Sequence, residues 1–451
     1  MKIMSKSLNS AVILAAGNGS RLKSSTPKVF HKIGGLSLLD HVIHNVLDAC
    51  IDDITVVLKP GYENKSEFID KVTIAHQHVP IGSADTVKCA LKNPTNNNGG
   101  WVYILYGDIP LISPETLLAW ANVAKTCEKT AVVALAMDSR NANALGKLVP
   151  ASSAGTIKGI IEAKDATNFD NTIPLCNAGL LVRKDVLQKF IGEIKPSPIT
   201  GEFYITEIVR LANEAGYICR YYEADVSELS GVNTRQELSI LEKYFQDKMR
   251  EKHMSNGVTL VAPETVFFSF DTIIENDVVI DPFVVFGRNV HIESGAHINS
   301  FCVVEGSWIE KASIGPFARL RPGAIIGKNA KIGNFVEIKC STIDENAKIN
   351  HLSYIGDSGV GKNANIGAGT ITCNYDGFNK HWTEIGENVF IGSNSAIVAP
   401  VEICDNAMVA AGSVITKDVD SGALAISRVP QKNIKNGSLK FAENRSRKDK
   451  Q

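Results

Sequence analysis

Two different hydrophobic rhythms divide this chain. From residue 10 to about 230, short apolar runs alternate with stretches whose apolar residues fall at helical spacing. Residues 11–15, 54–58, 101–106, 131–137 and 179–182 predict buried strands, and residues 38–49 and 114–124 predict helices between them. That alternation predicts a Rossmann-like α/β domain with a mostly parallel sheet. In such sheets ligands collect beyond the carboxyl ends of the strands.

From about residue 257 apolar residues recur every six positions. One frame runs Phe268, Ile274, Ile280, Phe286, Ile292, Ile298 and Val304. A second runs Ile314, Leu320, Ile326, Ile332 and Ile338, followed after a one-residue slip by Ile343, Ile349 and Ile355. A last frame runs Ile385, Ile391, Ile397, Ile403, Val409 and Ile415. A period of six fits neither a helix nor a simple strand. It predicts a parallel β-helix of hexapeptide repeats, three per coil, with the periodic residues stacked inward. The slips near 309 and 340 and the aperiodic stretch 372–384 predict bulges or a protruding loop.

A helix is predicted between the two rhythms. Thr234 and Glu237 form a capping box, Leu238, Leu241, Phe245 and Met249 share one face, and Asn256-Gly257 supplies a stop. The expected organisation is therefore residues 1–231, a linker helix 232–256, the repeats 257–430, and a basic tail 431–451 that should be solvated and poorly ordered. With 47 Lys and Arg against 48 Asp and Glu, the chain is not a generally basic nucleic-acid binder. No apolar run is long enough for a membrane helix or a signal peptide. Nine scattered cysteines without a CxxC pair predict reduced thiols and a cytoplasmic protein.

The first strand leads into Leu14-Ala15-Ala16-Gly17-Asn18-Gly19-Ser20-Arg21, and Pro27-Lys28 follows. Small residues after a strand let backbone N–H groups approach a phosphate, and Arg21 adds a charged fork. The spacing fits neither Walker A nor the dinucleotide fingerprint, since position 22 is Leu. The pattern L-A-A-G-x-G-S/T-R followed by P-K resembles the sugar-1-phosphate nucleotidylyltransferases. That resemblance implies that Arg21 and Lys28 act catalytically on the nucleotide phosphates. It extends to Tyr106-Gly107-Asp108, to Gln77 and Gly82-Ser83 as a uracil-contacting segment, and to Gly146, Glu162 and Asn177 as holders of the sugar phosphate. Residues 201–206 and Gly231-Val232-Asn233 also match, and Asp108 and Asn233 are implied as ligands of Mg²⁺.

The repeats carry their own motifs. Arg321 lies in A-R-L-R-P-G, Lys339 closes G-N-F-V-E-I-K, and His351 opens H-L-S-Y, which ends in Tyr354. Asn365 opens N-I-G-A-G-T, Asn374 and Tyr375 lie in C-N-Y-D-G, and Arg428 lies in A-I-S-R-V-P. Together with the first half these resemble the bacterial bifunctional uridylyltransferase and N-acetyltransferase family that makes UDP-N-acetylglucosamine, over residues 10–430. The resemblance implies a left-handed β-helix and a homotrimer with acetyl sites between subunits. It implies acetyl-CoA and UTP as co-substrates and His351 as the base that deprotonates the amine of glucosamine-1-phosphate. Arg321, Lys339, Tyr354 and Asn365 are implied as ligands of that sugar phosphate. Asn374, Tyr375, Ser393, Ala411 and Arg428 are implied as acetyl-CoA contacts.

Five positions depart from the commonest family pattern: Ser20 and Ser83 stand for Thr, Lys147 for Arg, Asp85 for His and Thr86 for Ala. Asp85 adds negative charge beside the expected nucleotide site. A monofunctional enzyme using the β-helix only for assembly is opposed by the H-L-S-Y and C-N-Y-D-G segments. A non-catalytic scaffold should have lost Arg21, Lys28, Asp108 or His351, and all four are present. A nucleic-acid binder would rest on the tail alone.

Overall fold

The structure, a computed structural model, describes residues 9–17, 19–92, 100–138, 145–165 and 174–448. The chain divides into two compact units, Met1–Met249 and Arg250–Gln451.

In the first unit the elements are β1 (Ser10–Leu14), α1 (Leu38–Asp48), β2 (Asp53–Leu58), β3 (Thr73–His76), α2 (Ser83–Leu91), β4 (Trp101–Tyr106), α3 (Pro114–Ala124), β5 (Thr130–Asp138), β6 (Lys147–Pro150), β7 (Ile157–Ile161), β8 (Leu175–Arg183), α4 (Lys184–Phe190), α5 (Ile208–Glu214), β9 (Ile218–Glu223) and α6 (Val226–Leu229). The main sheet order is β9-β5-β8-β4-β1-β2-β3, with the hairpin β6-β7 attached to β8. All pairs along this path are parallel except those of β8, which runs against both β4 and β5. The sheet is thus mixed but mostly parallel, and the amino end of β8 lies beside the carboxyl end of β5.

The central strands are apolar throughout because helices cover both faces. Tyr103 and Leu105 point into one core with Leu39, Val42 and Trp120, while Val102 and Ile104 point into the other with Val87, Leu187 and Ile208. Local chemistry fixes the helix starts. Ser37 and Ser113 accept from the N–H groups of Asp40 and Thr116, and Pro114 occupies the first turn of α3.

Helix α7 (Arg235–Ser255) runs from the first unit into the second. Its capping box forms as expected: Thr234 Oγ1 accepts from Glu237 N at 3.2 Å, and Glu237 Oε2 accepts from Thr234 N at 2.9 Å. Leu241 and Phe245 are buried in the first unit, where Phe245 meets His41 edge-on at 5.6 Å and Glu242 accepts from Gly34 N. That packing assigns residues 232–249 to the first unit, so its boundary falls at Met249 rather than 231.

The second unit is a parallel β-helix. Every residue of the three period-six frames is at most 6% exposed. A second inward column of smaller residues, such as Ala296, Ala312, Ala330 and Ser413, lies two positions earlier and fills the remaining space. Successive coils pair at 18 residues, as between Val279 and His297. The slip near 340 is a shortened corner: strands Glu337–Ile343 and Tyr354–Val360 run on round it, and Ile338 pairs with Ile355 after 17 residues. Seven extra residues between Cys373 and Thr383 form the expected loop, which raises the Thr372 to Ile397 offset to 25. Two corners are marked by left-handed side-chain residues. One carries Asn329, Asn346, Asn363, Asn388 and Asn406; the other carries Phe283, Phe301, Phe317, Phe335 and Leu352. In the tail, Gly437–Lys448 is helical.

Candidate active sites

In the first unit, the carboxyl ends of β1, β3 and β4 open onto a cleft of 390 Å³ lined by Ala15, Gly17, Lys28, Gln77, Gly82 and Asp108. Leu14, Ala16, Ser83 and Tyr106 also line it. Gly107 donates its N–H to Leu14 O at 3.0 Å, tying the β4 end to the β1 end. Asn18 lies outside the described residues. Gly19 has a left-handed φ of 59°, and a Cβ there would lie 2.5 Å from Lys28 Cβ. Only glycine lets the loop press so close to Lys28. Gly82, at φ 134°, faces the Phe203 backbone, where a Cβ would sit 2.3 Å from the carbonyl oxygen. Around it Ala84 N donates to Phe203 O, Phe203 N donates to Ile81 O, and Ile205 N donates to Ser83 Oγ at 2.9 Å. The segment that matched as residues 201–206 is therefore stitched to the nucleotide segment.

At the other wall, Arg21, Lys28, Asp108 and Asn233 come together across more than 200 residues of sequence. Asn233 Oδ1 accepts from Arg21 at 2.7 Å and from Lys28 Nζ at 2.9 Å, and Lys28 also forms an ion pair with Asp108. Asn233 is itself held by the capping box, because Glu237 Oε2 accepts from Asn233 N. Glu237 was expected only as a helix signal; it lines an adjoining recess of 580 Å³ together with Arg21, Asp108 and Asn233, which gives it a second task.

A neighbouring recess of 220 Å³ contains Gly146, Glu162, Asn177, Lys164, Glu202 and Tyr204. Asn177 is 3% exposed, and its Oδ1 has no partner among the described residues, while its N–H donates to Gly146 O at 2.8 Å. A buried orphan acceptor facing a recess suits a ligand donor. Burial raises the Glu162 carboxyl above its ordinary range, although the Thr206 hydroxyl, donating at 2.6 Å, works the other way. Thr206 was not singled out from sequence; only its position in the matched stretch hinted at it.

In the β-helix, His351, Ser393 and Ala411 stack on one corner with Ala368 between them. Gly369 N donates to His351 O, Asn394 N to Ala368 O, and Gly412 N to Ser393 O. Arg428 donates to Ala411 O and joins this column. His351 Nδ1 lies 2.8 Å from Asn334 Oδ1, a contact that assigns the proton to Nδ1 and leaves Nε2 free to accept. Arg321 and Lys339 lie on the next corner in adjacent coils, with Tyr354 on the face between the two corners. Arg321 pairs with Glu337 at 2.9 Å, and Lys339 with Asp357 at 3.0 Å. Burial lowers the Lys339 ammonium, but Asp357 more than offsets it and leaves it raised. Asp357 also accepts from Asn374 Nδ2, so the Asn374 loop is anchored beside the two cations. Tyr375 is 60% exposed on that loop, away from the Ser393 column, and Asn365 lies outward on the face preceding His351. Within one chain these ten residues are therefore spread over different corners and faces of the β-helix. Asp357 carried no sequence signal.

Residues 11–172 match the MobA-like NTP transferase domain. Residues 271–306 match the bacterial transferase hexapeptide of six repeats, and 383–417 the hexapeptide repeat of succinyl-transferase. The chain is 44% identical over 445 residues to a bifunctional protein GlmU of Zymomonas mobilis, covering 97% of this chain and 98% of that protein. It is 43% identical to that of Paramagnetospirillum magneticum, covering 97% of each, and 42% identical to that of Wolbachia pipientis wMel, covering 93% and 97%. The chain belongs to the bifunctional GlmU family. It is a bifunctional transferase of UDP-N-acetylglucosamine synthesis, pairing N-acetylation of glucosamine-1-phosphate with uridylyl transfer from UTP. The alternatives of a monofunctional enzyme and of a scaffold fall with that membership. No helix among the described residues is long and apolar enough to cross a membrane.

Proposed function

We propose that the cleft of the first unit carries the uridylyl transfer and that the β-helix carries the acetylation, with the residues above in the following roles. In uridylyl transfer the sugar-phosphate oxygen attacks the α-phosphorus of UTP in line, and pyrophosphate leaves. Every reactant is anionic, so the task is alignment and charge neutralisation. Arg21 and Lys28 clamp the triphosphate, and Gln77, Gly82 and Ser83 contact the base. Gly146, Glu162 and Asn177 hold the sugar, with Asn177 Oδ1 accepting from it. The observation that carries this reading is the Arg21, Lys28, Asp108 and Asn233 cluster at the strand ends.

Asp108 and Asn233 are the residues for Mg²⁺. Their hard carboxylate and carbonyl oxygens meet at one point, and Mg²⁺ takes few protein ligands when phosphates and water supply the rest. Bound there it would neutralise charge on the phosphates. Lys28 touches both residues, so its ammonium lies beside the point where the phosphates and the metal would meet. Chelation by EDTA should abolish pyrophosphate release and leave CoA release intact; EDTA-resistant UMP transfer would refute the assignment.

In acetylation, His351 Nε2 takes a proton from the sugar ammonium, the free amine attacks the thioester carbonyl of acetyl-CoA, and the C–S bond breaks to release CoA as its thiol, which takes up the second proton lost from nitrogen. Arg321, Lys339, Tyr354 and Asn365 hold the sugar phosphate, exchanging Glu337 and Asp357 for it. Asn374, Tyr375, Ser393, Ala411 and Arg428 serve acetyl-CoA. Because one chain leaves these groups apart, the site is proposed to close between subunits of a homotrimer. The ridge of Phe283, Phe301, Phe317 and Phe335 supports this: its rings stack at 5.1, 4.8 and 5.2 Å, yet each is about half exposed, and it runs to Leu352 beside His351. The enzyme is proposed to work in the cytoplasm, where its nine unpaired cysteines stay reduced.

A further inference from the structure

Gln77 lines the nucleotide cleft, yet it is only 2% exposed. Its carboxamide is held at both ends. Nε2 donates to Asp85 Oδ2 at 2.7 Å and lies 3.4 Å from Gly82 O, while Oε1 shares the Thr86 hydroxyl with Gly82 O, each 3.0 Å from Thr86 Oγ1. Asp85 and Thr86 are neighbours in the first turn of α2, and Thr86 is 5% exposed. A carboxamide is nearly symmetric in shape, but its two ends have opposite hydrogen-bonding character. A carboxylate accepts and does not donate, so Asp85 selects the nitrogen end to face it. The N–H groups are then directed to Asp85 and towards Gly82 O, and Oε1 keeps one lone pair beyond the bond from Thr86.

That orientation has a consequence for base choice. Uracil presents a donor at N3, where cytosine presents an acceptor. A carboxamide whose open end is oxygen pairs with the uracil N3–H and sets acceptor against acceptor for cytosine. The flipped carboxamide reverses the preference. We propose that Asp85 is a positioning residue for base selection: it locks Gln77 in the uracil-reading orientation without touching the nucleotide. This rests on the proposed contact between Gln77 and the base.

The test measures kcat/KM for UTP and CTP, with N-acetylglucosamine-1-phosphate and Mg²⁺, on the full chain. Asp85→Asn and Asp85→Ala are compared with the parent, alone and combined with Gln77→Ala. The UTP to CTP ratio should fall about ten- to hundredfold in either Asp85 variant, because the discriminating hydrogen bond is no longer oriented. The change should appear in KM for the nucleotide and not in KM for the sugar phosphate. In the Gln77→Ala background the same substitutions should move the ratio less than about twofold, since the residue they act through is gone. An unchanged ratio in folded Asp85→Ala, or an equal fall with and without Gln77, overturns the proposal. If both variants fail to fold, Thr86→Val tests the other end of the lock: the same fall is expected, and an unchanged ratio overturns it. A parent enzyme that transfers no UMP at all would instead remove the reading of the cleft itself.

Discussion

Lys28 reaches both oxygens assigned to the metal, and Asn233 accepts from both cations assigned to the triphosphate. The four side chains therefore form one connected electrostatic network. Asp108→Asn removes its one carboxylate, so UMP transfer should fall by about a hundredfold or more, the scale of losing a charge-stabilising group. Acetylation should not change. Loss of both activities in a pyrophosphate and CoA assay would mean that Asp108 supports folding instead. In the β-helix, His351→Ala should lower acetyl-transfer kcat by about 10²–10⁴-fold, the usual contribution of a general base, with UMP transfer intact. A near-parental kcat would return His351 to a structural role. Most residues of both candidate sites are legible in sequence because they sit in dense motifs. Glu237, Thr206 and Asp357 were not, since their tasks depend on partners distant in sequence: Asn233 through a helix cap, Glu162 across the sheet, and Lys339 in a neighbouring coil.

At the scale of elements, α7 links local capping to chemistry. Its capping box holds the backbone of Asn233 as well as that of Thr234. Glu237→Ala should cost about 1 kcal/mol of stability in denaturant melts, the usual size of a lost cap. It should also reduce UMP transfer by about tenfold through a looser Asn233, while an unaffected rate would separate the cap from the site. Further along, His253 caps the first coil, its ring tilted against Phe268 with centroids 4.7 Å apart and neither ring nitrogen partnered among the described residues. Burial lowers its imidazole to about 4. The folded state favours the neutral ring, so its contribution is whole above about 6.5, the free imidazole value, and is lost as pH falls towards about 4. Thermal melts of the His253→Leu variant should therefore lose less stability between these pH values than the parent; parallel curves would contradict the assignment. The period-six pattern located this domain down to its slips, because every ladder residue must face inward and one missing residue shortens a corner. The β6-β7 hairpin escaped notice: its strands are short and half-exposed, without a strong apolar signal.

At the scale of the molecule, the chain forms two compact units, and the proposal gives one chemistry to each. The pattern change near residue 257 announced this, but the unit boundary at Met249 reflects packing of Leu241 and Phe245 that no local pattern encodes. Residues 1–249 alone should convert N-acetylglucosamine-1-phosphate and UTP to UDP-N-acetylglucosamine. A piece ending at 231 lacks Asn233 and should not. Activity of the shorter piece equal to the longer would remove Asn233 from the site. The central claim, two independent sites acting in sequence, is tested most directly by product analysis of the full chain supplied with glucosamine-1-phosphate, acetyl-CoA, UTP and Mg²⁺. The parent should release CoA and pyrophosphate and accumulate UDP-N-acetylglucosamine. Asp108→Asn should stop at N-acetylglucosamine-1-phosphate. His351→Ala should make almost no product unless N-acetylglucosamine-1-phosphate is added, which should restore it fully. If Asp108→Asn blocked CoA release, or added N-acetylglucosamine-1-phosphate failed to rescue His351→Ala, the two sites would not be the independent stations described.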